Sequence, residues 1–81
     1  MTHRFDCAIL NTKKALLTQF SKIFEEMYSL NYDAWEDVAT SCNEDVTWEF
    51  ENIDSYESPD LLREILNDIT AQNPHVTVIG I

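Results

Sequence analysis

Three carboxylates crowd one short run of this chain. Asp33, Glu36 and Asp37 stand within YDAWEDVATSC, residues 32 to 42, and the hydroxyls of Thr40 and Ser41 follow them. Carboxylates so spaced have two chemical uses. A pair can divide acid and base roles in catalysis, or unneutralised groups can receive a guanidinium or ammonium from a partner. The choice depends on what the backbone does with them. On a helical wheel of about 100° per residue, Tyr32, Ala34, Trp35, Val38, Ala39 and Cys42 fall on one arc. Asp33, Glu36, Asp37, Thr40 and Ser41 fall on the other. The apolar arc reads as a core face anchored by Trp35. The polar arc holds like charges at i and i+4, Asp33 and Asp37, which cost a few tenths of a kcal/mol. No Lys or Arg on this segment offsets them. The helix dipole relieves Asp33 and Glu36 more than Asp37. Two readings stand side by side for this arc: a solvated helix face, and a face for a cationic partner, which its single sign suits.

The elements that hold this arc in place follow from periodicity. Residues 4 to 10, RFDCAIL, read as a first strand. Asn11 and Thr12 offer capping side chains to a helix over 13 to 27, whose stripe is Leu16, Phe20, Ile23, Phe24 and Met27. Asn31 is placed to cap the acidic helix, 32 to 42. VTWEFE, residues 46 to 51, alternates strictly and predicts a half-exposed strand at a sheet edge. Ser58-Pro59 starts a helix over 59 to 72, lined by Leu61, Leu62, Ile65, Leu66 and Ile69 and stopped at Asn73-Pro74. HVTVIGI supplies the last strand. Strands separated by helices lie parallel with right-handed crossovers. The expected fold is α/β in the order β-α-α-β-α-β: one domain over residues 1–81, with a small three-stranded parallel sheet and about three to four helices.

Composition narrows the function. The chain has 81 residues, and its 15 acids face 5 bases, a net charge of −10. Between Lys22 and Arg63 no Lys or Arg occurs, and that interval holds twelve of the acids. Such a field repels nucleic acid and anionic membranes and draws in a basic protein. No apolar run reaches the roughly 18 residues of a membrane span, and MTHRFDCAIL lacks a signal-peptide core, so the expected compartment is the cytoplasm. Cys7 and Cys42 form neither a disulfide framework nor a zinc pattern, and no metal or cofactor is expected. Catalysis is not expected either: the sequence has no glycine-rich phosphate loop and no nucleophile motif, and the exposed helix face implies no cleft. His3 lies near an N-terminal end expected to be disordered, and His75 precedes a strand beside Pro74, so both read as incidental and not catalytic.

The run from Tyr28 to Thr40, YSLNYDAWEDVAT, resembles the barstar family, intracellular inhibitors of barnase-like ribonucleases. Tyr28, Asn31, Asp33, Ala34, Asp37 and Thr40 match its loop-and-helix pattern without gaps. The order of the remaining elements is similar, down to the VTVIGI strand. The resemblance implies that the helix and the loop before it plug a ribonuclease active site. Asp37 would mimic the substrate phosphate, Asp33 would meet a second cationic group, and Thr40 would add a hydrogen bond. Tyr28 and Asn31 would shape the loop, and Glu36 would add a further carboxylate to the contact. Asp68, counted back from the last strand, would reach a rim arginine. The implied partner is a basic ribonuclease or a nuclease toxin, with this chain as its immunity protein or antitoxin, a monomer that forms a 1:1 heterodimer.

Several positions depart from the family pattern. Ser29 stands for a glycine and Met27 for a tyrosine, Glu36 and Cys42 replace two interface tryptophans, and Asn43-Glu44-Asp45 lacks a loop proline. The inhibitory mode therefore carries over better than the identity of the target. The alternative expectation is an acidic mimic of nucleic acid, such as an anti-defence protein, that spreads its charge over a basic nucleic-acid-binding partner.

Overall fold

A computed structural model describes every residue of the chain except Glu26 and Tyr28. Strand β1 is Thr2–Asp6, helix α1 Lys13–Ile23, helix α2 Tyr32–Thr40 and strand β2 Val46–Glu51. A 3-10 turn at Ile53–Ser55 leads to helix α3, Pro59–Gln72, and strand β3, Val76–Ile79. The three strands run parallel in the order β1-β2-β3. Right-handed crossovers that step in one direction put their helices on one side of the sheet. Burial follows that rule. Phe5, Val46, Trp48, Phe50 and Val76 point into the single core. The alternate residues form rows on the other face: Thr2, Thr47 and Thr77 in one, Arg4, Glu49 and Ile79 in the next.

The edge position expected for residues 46 to 51 is therefore wrong, because β2 is the central strand. Its strict alternation reflects a sheet covered by helices on one face only, so polar side chains of a central strand still reach water. Three other expectations shift. The first strand ends at Asp6, whose side chain accepts from Ala8 N at 2.9 Å and whose carbonyl accepts from Ile9 and Leu10. This turn takes CAIL out of the sheet. His3, expected near a disordered end, lies within β1 and pairs in register with Trp48. Helix α1 stops at Ile23, where Phe24 turns extended, yet Phe24 and Met27 remain buried. Their spacing marked burial and not helix. Helix α3 keeps the expected bounds, although the Ser58 side chain makes no cap bond and its carbonyl alone accepts from Leu62. Beyond β3, Gly80 has φ +86°, and an added Cβ would lie 2.0 Å from the Phe50 carbonyl oxygen. That close approach of backbones admits no side chain.

The core is aromatic where α1 and α2 meet the sheet. The Phe20 ring lies 4.7 Å from Trp35 and 4.8 Å from Trp48, and the two indoles stack at 6.1 Å. Trp35 is fully buried; truncating such a residue to alanine costs about 3–5 kcal/mol. This anchor fixes the rotation of α2 and so decides which of its side chains face outward. No helix among the described residues is long and apolar enough to cross a membrane.

Candidate functional site

Helix α2 is pinned at both ends. At its start the Asn31 side chain accepts from Ala34 N at 2.7 Å, the capping role its residue type predicts. The Tyr32 hydroxyl meets the Tyr56 hydroxyl at 2.8 Å, tying the first turn to the segment after the 3-10 turn. Burial and this hydrogen bond push the Tyr56 phenol far above its ordinary value, so it stays protonated. Lys13 of α1 holds its ammonium 5.1 Å from the Tyr32 ring centre, a cation–π contact. At the far end Asn73 is buried between α3 and β3. Its amide donates to the carbonyls of Ala39 and Cys42, each at 2.8 Å, and its side-chain oxygen accepts from His75 N. These bonds add a second donor to the Ala39 carbonyl, which also accepts from Cys42 N, and give the Cys42 carbonyl past the helix end a partner.

Held in this way, α2 turns its acidic arc outward. Asp33 and Asp37 are exposed and Glu36 is half-buried. Asp68 of α3 is also exposed, and it lies close enough to act on Glu36. Burial raises the Glu36 carboxyl above its ordinary 4.5, and the charges of Asp68, Asp33 and Asp37 push it the same way. Among the described residues no ion pair reaches any of these four carboxylates. Some acids elsewhere are paired, while Glu25, Glu44, Glu51, Glu57 and Glu64 also lack an ion pair among the described residues. Glu49 pairs with Arg4 at 2.8 Å, Asp54 with Arg63 at 2.8 Å, and Asp45 meets the His75 ring at 2.8 Å.

Six of the seven anticipated site residues can be placed, and Tyr28 lies outside the described residues. Asn31, Asp33, Glu36, Asp37 and Thr40 share one helix and its cap, and Asp68 joins them from α3. Thr40 is half committed. Its hydroxyl donates to the Glu36 carbonyl at 2.7 Å, so only its oxygen lone pairs remain for a partner. The predicted helix to residue 42 ends at Thr40 with Ser41 as its cap, and the Ser41 hydroxyl likewise donates to the Asp37 carbonyl. Hydroxyls that bond back to the last turn compete with its continuation.

Sequence reasoning passed over two features here. Asn73 was legible as a helix stop, but nothing in its neighbours signalled a buried clamp on α2. The other is a groove of about 750 Å³ where the ends of α1 and α2 approach the starts of β1 and β2. Its lining includes Ile23, Phe24, Val38 and Val46, with Asp37 and Glu44 on the α2 side and Lys22 on the α1 side. It is assembled from four elements remote in sequence, so no local pattern announces it. Among the described residues no three His, Cys, Asp or Glu side chains are grouped to hold a metal ion. Set against known proteins, the chain matches no family model and no curated relative.

Proposed function

We propose that this chain is a barstar-like inhibitor that blocks the active site of a basic ribonuclease, barnase-like or a nuclease toxin, with α2 as the inserted element. One observation carries the reading: Asp33, Glu36, Asp37 and Asp68 converge from two helices on one surface and lack a counter-charge among the described residues. Uncompensated carboxylates on a rigid helix are costly to keep, and a cationic active site would relieve them. Asp37 is the phosphate mimic in this scheme, with Asp33 and Asp68 meeting flanking cations and Glu36 adding charge between them. Asn31 shapes the approach to the helix, and Thr40 accepts a hydrogen bond. The element order and the parallel sheet agree with what the resemblance implies.

The rival reading, an acidic nucleic-acid mimic, spreads its effect over Glu44, Glu49, Glu51 and Asp54 as well. Two of these, Glu49 and Asp54, are already paired within the chain, which favours the focused site. The test is inhibition of purified basic ribonucleases, barnase first, by the chain and by alanine variants across residues 28 to 68. Asp37→Ala should weaken inhibition by about 2 kcal/mol or more, the scale of an interface hot spot, close to thirtyfold. The barnase–barstar pair is itself a reference example for that scale. Small, equal losses at every acid would instead identify a charge mimic.

A further inference from the structure

Carboxylates at the rim of an interface speed an encounter but add little to lasting affinity, whereas one enclosed against a partner's cation, as Asp37 is in the reading above, adds more. Interfaces are held by apolar or aromatic anchors seated in concavities beside such charges. Most of the acidic surface here is helix exterior, but Asp37 borders the groove between the ends of α1 and α2. We propose that this groove is a docking site for a segment of the basic partner that sets an apolar side chain next to an arginine or lysine. The proposal rests on the inhibitor reading above and extends it, because it names what the partner must bring besides charge.

Size and lining select this occupant. A concavity of about 750 Å³ lies within the roughly 300–1,000 Å³ of sites that bury a ligand. Its lining is mixed: Ile23 and Val38, with the buried Phe24 and Val46 beneath, supply apolar surface beside the polar groups of Lys22, Asp37, Ser41 and Glu44. The charges around that lining exclude simpler occupants. A polybasic segment would meet Lys22, and an acidic one would meet Asp37 and Glu44. An apolar side chain on the lining, with its basic neighbour turned toward α2, satisfies both constraints. A guanidinium can take the Asp37 carboxylate in a forked pair while its stem lies along Val38.

The experiment uses the full, isotope-labelled chain and the blocked dipeptide acetyl-Leu-Arg-amide, followed by amide chemical shifts. The expected result is saturable shifts confined to residues lining the groove, with Val38, Ser41 and Cys42 foremost. Ser41→Trp, a change at an exposed position that lines the groove, should leave the melting temperature unchanged and weaken the peptide by about tenfold or more. Equal shifts from acetyl-Leu-Glu-amide, or shifts scattered over all acidic segments, would overturn the proposal. Nuclease inhibition separates the two readings. A nuclease inhibited equally by the wild type and by Ser41→Trp removes the groove from the interface and leaves the inhibitor reading intact. If no basic ribonuclease is inhibited by the wild type, the inhibitor reading falls, and the peptide shifts alone decide whether the groove takes an apolar–basic segment.

Discussion

At the scale of single residues, Glu36 is the one whose position works against the fold. Burial comes first among the causes that raise its carboxyl, followed by the charges of Asp68, Asp33 and Asp37. For an acid, a raised folded-state value means that the ionised form is disfavoured in the folded protein. Glu36 therefore detracts from stability at neutral pH, and the penalty fades as pH falls through the raised value toward 4.5. Glu36→Gln should raise the melting temperature at pH 7 by about 1–3 °C, corresponding to a few tenths of a kcal/mol in a domain of this size. Near pH 4 the difference should vanish. A gain that is the same at both pH values would mean that charge is not the cause. Two tryptophans carry a different residue-scale cost: the indole N–H groups of Trp35 and Trp48 are buried without an acceptor among the described residues. The surrounding phenyl faces offer them at most weak N–H···π contacts. Both indoles are retained for the area they bury.

Among the elements, the placement of α2 depends on Asn73 more than on any residue of α2 except Trp35. Replacing Asn73 with alanine removes a donor from the Ala39 and Cys42 carbonyls and the acceptor of the His75 N–H, although the Ala39 carbonyl keeps its bond from Cys42 N. The expected cost is about 2–3 kcal/mol, read as a lower urea midpoint at unchanged slope. A loss under about 0.5 kcal/mol, the range of an ordinary surface change, would mean that water replaces the amide. The elements also show what could be read in advance. The bounds of β2 and α3 were visible because strict alternation and a Ser-Pro start are local signals. The acidic arc of α2 was visible because a wheel needs only one segment. Strand β1 was misplaced because its limit is set by pairing with β2 and by the turn at Asp6, both outside its own pattern. The position of β2 in the sheet was missed for a related reason: alternation reports one wet face and says nothing of how many neighbours a strand has. Asp68 was marked only through the resemblance; its effect on Glu36 is a product of helix packing. The clamp at Asn73 and the groove beside Asp37 are tertiary by construction and had no sequence signal.

Taken whole, the molecule is a charged body with few internal neutralising contacts. Against a net charge of −10, Arg4 and Arg63 are the Lys and Arg side chains in ion pairs among the described residues. Self-repulsion should then limit stability at low ionic strength. Raising sodium chloride from about 10 mM to about 500 mM shortens the screening length from roughly 30 Å to below 8 Å. The melting temperature should climb by several degrees across that range. A flat or falling profile would show that the pairs at Arg4 and Arg63 outweigh the repulsion. The same salt should slow association with a basic partner while leaving dissociation nearly constant.

Because both crossovers send their helices to one side, the acidic helix and the bare side of the sheet look in opposite directions. The bare side presents Thr2, Thr47 and Thr77 in a row, with Thr77 exposed on the outer strand. That arrangement gives the protein a back by which it can be held. A thiol introduced at Thr77→Cys, with half-buried Cys42 replaced by serine, would couple the chain to a bead or sensor chip in one orientation. Every tethered copy would then present α2 to the solution, so that whatever binds the acidic face meets a surface whose molecules all point the same way.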